Sequence, residues 1–170
     1  MRNFTNDIEK NKGVTMIALV ITIVVLLILS SIVIKSGKNS IKKAKLEEIE
    51  TNMLLIEAKA REYLEEASFK MGITPSSADK DKAKVVYESK GLKRANDGSV
   101  VIPGVTVDWD FYEVTPGALT QMGLDDIKIN TAKGEKYIIR FDEVEMKAEV
   151  YNTIGFEGKY SLTDIKNINV

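Results

Sequence analysis

The side chains able to do chemistry in this chain are carboxylates, lysines and hydroxyls, because its 170 residues include neither histidine nor cysteine. That removes disulfides, thiolate nucleophiles, imidazole acid/base catalysis and Cys/His zinc sites in one step. The carboxylates gather at Asp108-Trp109-Asp110, at Asp125-Asp126 and at Asp142-Glu143-Val144-Glu145. Oxygen ligands of this kind suit calcium, but none of the three runs has the spacing of an EF-hand loop with its glycine and terminal glutamate. Solvated loop acids are the expectation there, with no metal and no cofactor. No nucleophile paired with a base and no phosphate-binding glycine loop is visible, so no catalytic residue and no enzymatic activity are expected. Trp109, Phe111 and Tyr112 read as core packing in preference to a sticky surface patch. With 24 Lys+Arg against 25 Asp+Glu, the net charge of -1 disfavours nucleic acid as a partner.

These residues sit in a β-rich head over 71–170. Gly72 to Lys84 is polar, carries Pro75-Ser76-Ser77 and Asp79-Lys80-Asp81-Lys82, and predicts a connecting loop. Val100-Val101-Ile102 and Val105-Thr106-Val107 flank Pro103-Gly104 and predict two strands about a tight turn, with a second turn at Asn96-Asp97-Gly98. Thr115-Pro116 and Gly123 bracket a short helix: threonine as N-cap, proline in the first turn, glycine at the stop. Lys136 to Phe141 and Met146 to Tyr151 alternate across an acidic turn and predict a hairpin. The tail from Tyr160 to Val170 gives no clear signal.

Upstream, Leu46, Ile49, Met53, Ile56, Ala60, Tyr63 and Ala67 recur at spacings of three and four, with glutamates, Lys59 and Arg61 on the other faces. Neither proline nor glycine interrupts 38–71, so the stripe predicts an amphipathic helix over 35–70. It packs either on the chain's own head or, as an ordinary coiled coil over 46–67, on a second copy. Gly37 next to Ser36 is the one weak point above it.

Residues 14–34 contain no charge. As a helix rising ~1.5 Å per residue, a run of this length covers ~30 Å, the hydrocarbon thickness of a bilayer. Continued through the amphipathic stretch it makes one helix from about Val14 to Lys70, on the order of 85 Å long if straight. A cleaved secretory signal fits poorly, since Ser30-Ser31 is followed by Ile32-Val33-Ile34-Lys35 where small residues belong. A plain signal anchor has the same composition.

The junction Asn11-Lys12-Gly13-Val14-Thr15-Met16-Ile17 distinguishes this run: a short polar leader, residues 1–13, ends in Lys-Gly and opens directly into the apolar helix. Over residues 10–34 the chain resembles type IV prepilins and the pseudopilins of type II secretion. Ile17-Ala18-Leu19-Val20-Ile21-Thr22 resembles a variant of that signal found in Gram-positive bacteria. The resemblance implies that a membrane-embedded prepilin peptidase cuts between Gly13 and Val14 and methylates the new amine of Val14. Glycine suits such a site because a residue without Cβ lets a protease approach the backbone closely. The resemblance further implies an α+β fold in which the long helix packs on a small antiparallel sheet, the α/β roll of pilins. It also implies a single-pass plasma-membrane protein with an extracytoplasmic head, assembled with copies of itself or other pilin-like subunits into a surface filament or pseudopilus by an ATPase and its platform. Ala18 departs from the family, which usually carries glutamate there to neutralise the amino terminus of a neighbouring subunit; family members lacking it include subunits at filament tips. Some pseudopilin heads bind calcium, and many pilin heads are stapled by a disulfide that this chain cannot form.

The flanking charges point the other way. Five lysines between Lys35 and Lys45 outnumber Arg2, Lys10 and Lys12 of the leader, which by the positive-inside rule places the head in the cytoplasm. The alternative reading is therefore a single-span scaffold or signalling protein dimerised through 46–67. The processing signal is the more specific of the two indications, and lysines at the outer surface can bind anionic headgroups.

Overall fold

The protein, seen as a computed structural model, is described over residues 5–72 and 79–169; the side chains of 5–17, 28–38 and 79 lie outside the described residues. It divides into two units, one ending at Ala44 and one covering Lys45–Asn169. Helix α1 is assigned over Thr5–Met71, so its backbone is already helical within the expected leader and continues through Gly37.

In the larger unit, α1 is followed by α2 (Asp79–Ser89), β1 (Leu92–Arg94), β2 (Phe111–Val114), α3 (Pro116–Met122), a 3-10 turn at Thr131–Lys133, β3 (Tyr137–Asp142), β4 (Lys147–Phe156), β5 (Lys159–Ser161) and α4 (Leu162–Ile165). The strands form one sheet in chain order, every neighbouring pair antiparallel. The fold is α+β.

Glu57–Arg61 at 2.6 Å, Lys59–Glu62 at 2.9 Å and Glu66–Lys70 at 3.3 Å line the solvent side of α1, each worth only ~0.2–0.5 kcal/mol. Burial of the opposite face does more to hold it. The helix stops at Gly72, which takes a left-handed φ of 87° and donates its N–H to Ser68 O at 3.1 Å.

The sheet is covered on both faces. Tyr137, Ile139 and Phe141 of β3 join Tyr112, Val114, Ala148 and Val150 in the core shared with α1, α2 and α3. Ile138, Phe111 and Tyr151 point to the other face, where Ala95, Val100 and Ile102 of the β1–β2 connection cover them. Tyr87 of α2 stacks on Phe141 with ring centroids 3.9 Å apart.

The expected hairpin is present as β3 and β4, paired from Tyr137 opposite Asn152 through Asp142 opposite Lys147, so that Asp142 belongs to the strand and not to the turn. Its turn is fixed by Asp142 Oδ1, which accepts from the N–H groups of Val144 and Glu145. The expected α3 is also present: Thr115 Oγ1 accepts from Ala118 N–H at 3.1 Å, Pro116 opens the helix and Gly123 closes it at φ 70°. At the far end of β4, Asn152 is fully buried yet satisfied. Its amide donates to Glu135 Oε1 at 2.9 Å and its Oδ1 accepts from the N–H groups of Ile154 and Gly155. Gly155, at φ 63°, lies against Lys159 O and the Tyr160 ring, where a Cβ has no room.

Two expectations need correction. The loop expected over Gly72–Lys84 gives way to a helix from Asp79; residues 73–78 lie outside the described residues. Ala83, Val86 and Tyr87 supply its buried face at helical spacing. The two strands expected about Pro103-Gly104 reduce to a single bridge between Ile102 and Val105. Val100 and Ile102 are buried as a flap over the sheet while Val101 is exposed, so their alternation reflects a covering loop. The tail, for which the sequence gives no clear signal, supplies an edge strand at Lys159–Ser161 and a helix at Leu162–Ile165 capped by Ser161, whose Oγ accepts from Asp164 N–H at 3.1 Å.

Candidate functional site

The apolar run is described at the side-chain level from Ala18 to Leu27, and all ten of these side chains are exposed. Within Ala18–Leu27 the Thr22 hydroxyl donates to Ala18 O one turn back at 2.6 Å. A hydroxyl turned onto its own backbone leaves the helix surface apolar. Gly13 and Val14 lie within helical backbone, their side-chain surroundings outside the described residues. Among the described residues no helix is long and apolar enough to cross a membrane; in the expected span over 14–34, the side chains of 14–17 and 28–34 lie outside them. Lys42, Lys43 and Lys45 are exposed.

In the larger unit, the stripe of α1 lies in the core. Leu46, Met53, Ile56, Ala60, Tyr63 and Ala67 are buried, and Ile49 is partly buried against them. Leu64 and Met71 are buried too. Leu64 lies four residues after Ala60 and Met71 four after Ala67, so both continue the same spacing.

The acidic groups separate into distinct roles. Asp125 and Asp126 are exposed. Asp142 caps the hairpin turn. Glu143 departs from the expectation of a solvated loop acid: it is buried and accepts the Tyr87 hydroxyl at 3.3 Å. Burial raises its carboxyl above the ordinary range, and Asp110 pushes in the same direction. Burial also raises Tyr87, with Glu143 adding to it, and raises Tyr112 against the opposing pull of Arg94.

The sheet brings together groups far apart in sequence. Lys80, Arg94, Asp108, Trp109, Asp110, Tyr112 and Glu143 line one recess of about 280 Å³. Of the expected core aromatics, Phe111 and Tyr112 are buried, while Trp109 is 65% exposed at this recess. Among the described residues no group of three or more carboxylates is placed to hold a metal ion.

No protein family, curated protein or solved structure matches this chain.

Proposed function

We propose that the chain is a structural subunit of a type IV pilus-like filament or pseudopilus. It is inserted in the plasma membrane as a prepilin, cut after Gly13 by a prepilin peptidase, and polymerised through its apolar helix with copies of itself or related subunits. The observation that carries this reading is the uncharged run from Val14 to Ile34 opening directly from Lys12-Gly13, with ten consecutive side chains of that run, Ala18 to Leu27, exposed on a helix. An apolar helix surface of this size needs lipid or other helices around it. In a filament it exchanges the one for the other, and packing between subunits supplies the cohesive energy. An ATPase acting through a membrane platform supplies the work of extraction.

The burial of Leu46, Met53, Ile56, Ala60 and Tyr63 within their own unit supports the same reading over a scaffold dimerised through 46–67. A face already packed on its own sheet is not available as a coiled-coil seam. Ala18 presents a methyl group where a carboxylate would neutralise a neighbour's amino terminus. Placement at a filament tip removes that requirement.

Mass spectrometry of the protein isolated from cells with an active prepilin peptidase tests this. The mature chain begins at Val14 and carries one N-methyl group; a chain that retains residues 1–13 overturns the reading.

A further inference from the structure

The recess beside Trp109 is built differently from the rest of the head. Trp109, the only tryptophan of the chain, is largely exposed, although Phe111 and Tyr112, two and three residues on, are buried. Its position is nevertheless fixed. The Arg94 guanidinium lies 5.2 Å from its ring centroid and 5.9 Å from that of Tyr112. On either side of it, Asp108 Oδ1 accepts the Asp110 N–H at 3.1 Å, an Asx turn that sets both carboxylates about the indole. Asp110 in turn meets Lys80 Nζ at 3.4 Å. Behind them Glu143, held by the Tyr87 hydroxyl, forms the wall. Arg94 Nε is buried without a hydrogen-bond partner, the one such side-chain atom among the described residues. An under-paired guanidinium is expensive to keep in place.

The chemistry of these groups narrows the ligand. An anion is disfavoured, because the three carboxyl groups that line the space outnumber its two cations, Lys80 and Arg94. A metal cation lacks a set of three convergent carboxylates among the described residues. A purely apolar ligand would strand the polar wall without partners. What fits is a neutral molecule with an apolar face and a rim of hydroxyls. The apolar face covers the indole, and vicinal hydroxyls donate to Asp108 and Asp110 and accept from Arg94 and Lys80. A pyranose ring has both features. The recess, at about 280 Å³, is at the small end of ligand pockets, ~300–1,000 Å³, which suits a single sugar unit or the end of a glycan.

We propose that this recess is a binding site for neutral saccharides, with Trp109 as the stacking platform and Asp108, Asp110 and Arg94 as the hydroxyl-binding groups. The site lies wholly within the larger unit and does not depend on how the apolar helix is used.

A lone tryptophan makes its own fluorescence a reporter of this one site. The full chain in detergent is titrated separately with glucose, galactose, mannose and N-acetylglucosamine to ~50 mM, spanning the weak affinities expected of single sugars. Sodium sulfate and calcium chloride are the comparison titrants. At least one sugar gives a saturable blue shift of the Trp109 emission. Asp110→Asn weakens that response about tenfold, the worth of one charge-assisted hydrogen bond, whereas Asp125→Asn leaves it unchanged. Because Asp110 also pairs with Lys80, the exposed Asp108→Asn serves as a second variant that keeps the Asx turn, and it too weakens binding. Trp109→Ala abolishes the heat of binding in calorimetry. Four flat sugar titrations overturn the proposal. So does a saturable response to sulfate or calcium alone, and so does sugar binding that survives both the Asp108→Asn and Trp109→Ala changes.

Discussion

Glu143 is a buried carboxyl group that accepts the Tyr87 hydroxyl at 3.3 Å. It sits in an acidic turn, where its neighbours Val144 and Glu145 are exposed, yet it is turned inward against Tyr87. Nothing local announces this, because Tyr87 comes from α2 and Asp110 from the β1–β2 connection. The same is true of the recess around Trp109, whose Arg94 and Glu143 are brought together only by the sheet. A measurable consequence follows from the sign of the shift. Burial, then Asp110, raise the Glu143 carboxyl in the folded state above its unfolded value, while Lys80 and Tyr87 pull it down. Below the unfolded pKa both states hold the proton; as pH rises through the folded pKa, the folded state must give it up at a penalty, and stability is lost. Carboxylates such as Glu66, held low by Lys90 and Lys70, act in the opposite sense and gain stability over the acid range. The comparison with a variant isolates the first effect. Glu143→Gln, which keeps a partner for the Tyr87 hydroxyl, becomes progressively more stable relative to wild type as pH rises from about 4 to 7. Urea unfolding at several pH values measures this, and a stability difference independent of pH contradicts it.

At the scale of elements, the lower half of α1 bears on both fold and function. Met53 and Ile56 are fully buried, whereas Leu55 on the same helix is exposed. Met53→Ala removes packed atoms from the centre of the core and costs about 2–5 kcal/mol. Leu55→Ala stays within about 0.5 kcal/mol. Chemical denaturation of the two variants separates them, and equal losses would mean that the stripe does not carry the core. What could be read in advance follows from signal length. The stripe spans several turns, the β3–β4 hairpin has six residue pairs, and α3 carries a cap at each end. Strands β1, β2 and β5 have three or four residues each, too few for a period of two to rise above chance. β3 has both faces covered, so Tyr137, Ile138 and Ile139 are all buried as a continuous run, where simple alternation would leave every second residue exposed. Helix α2 was masked by its charged opening, Asp79-Lys80-Asp81-Lys82, although Ala83, Val86 and Tyr87 already held the helical spacing.

For the molecule as a whole, two physical indications disagree, and the disagreement can be turned into a measurement. Five lysines between Lys35 and Lys45, against three basic residues in 1–13, favour keeping the C-terminal side of the apolar run in the cytoplasm. The Lys-Gly junction at 12–13 favours the opposite orientation, because a filament subunit delivers its head to the outside. The rule of flanking charge is a bias in insertion energies and carries no information about a dedicated processing step, so the junction takes precedence in the proposed function. The chain contains no cysteine, which makes one introduced thiol an unambiguous marker of side. Val144 is suited to this: it is 82% exposed at the tip of the β3–β4 hairpin, and only its backbone N–H is used, by Asp142. Val144→Cys in whole cells reacts with a membrane-impermeant maleimide to the same extent before and after lysis if the head is extracytoplasmic. Labelling that appears only after lysis places the head in the cytoplasm, where the lysines then act as ordinary topological anchors and the exposed apolar helix serves to tether a domain instead of building a filament.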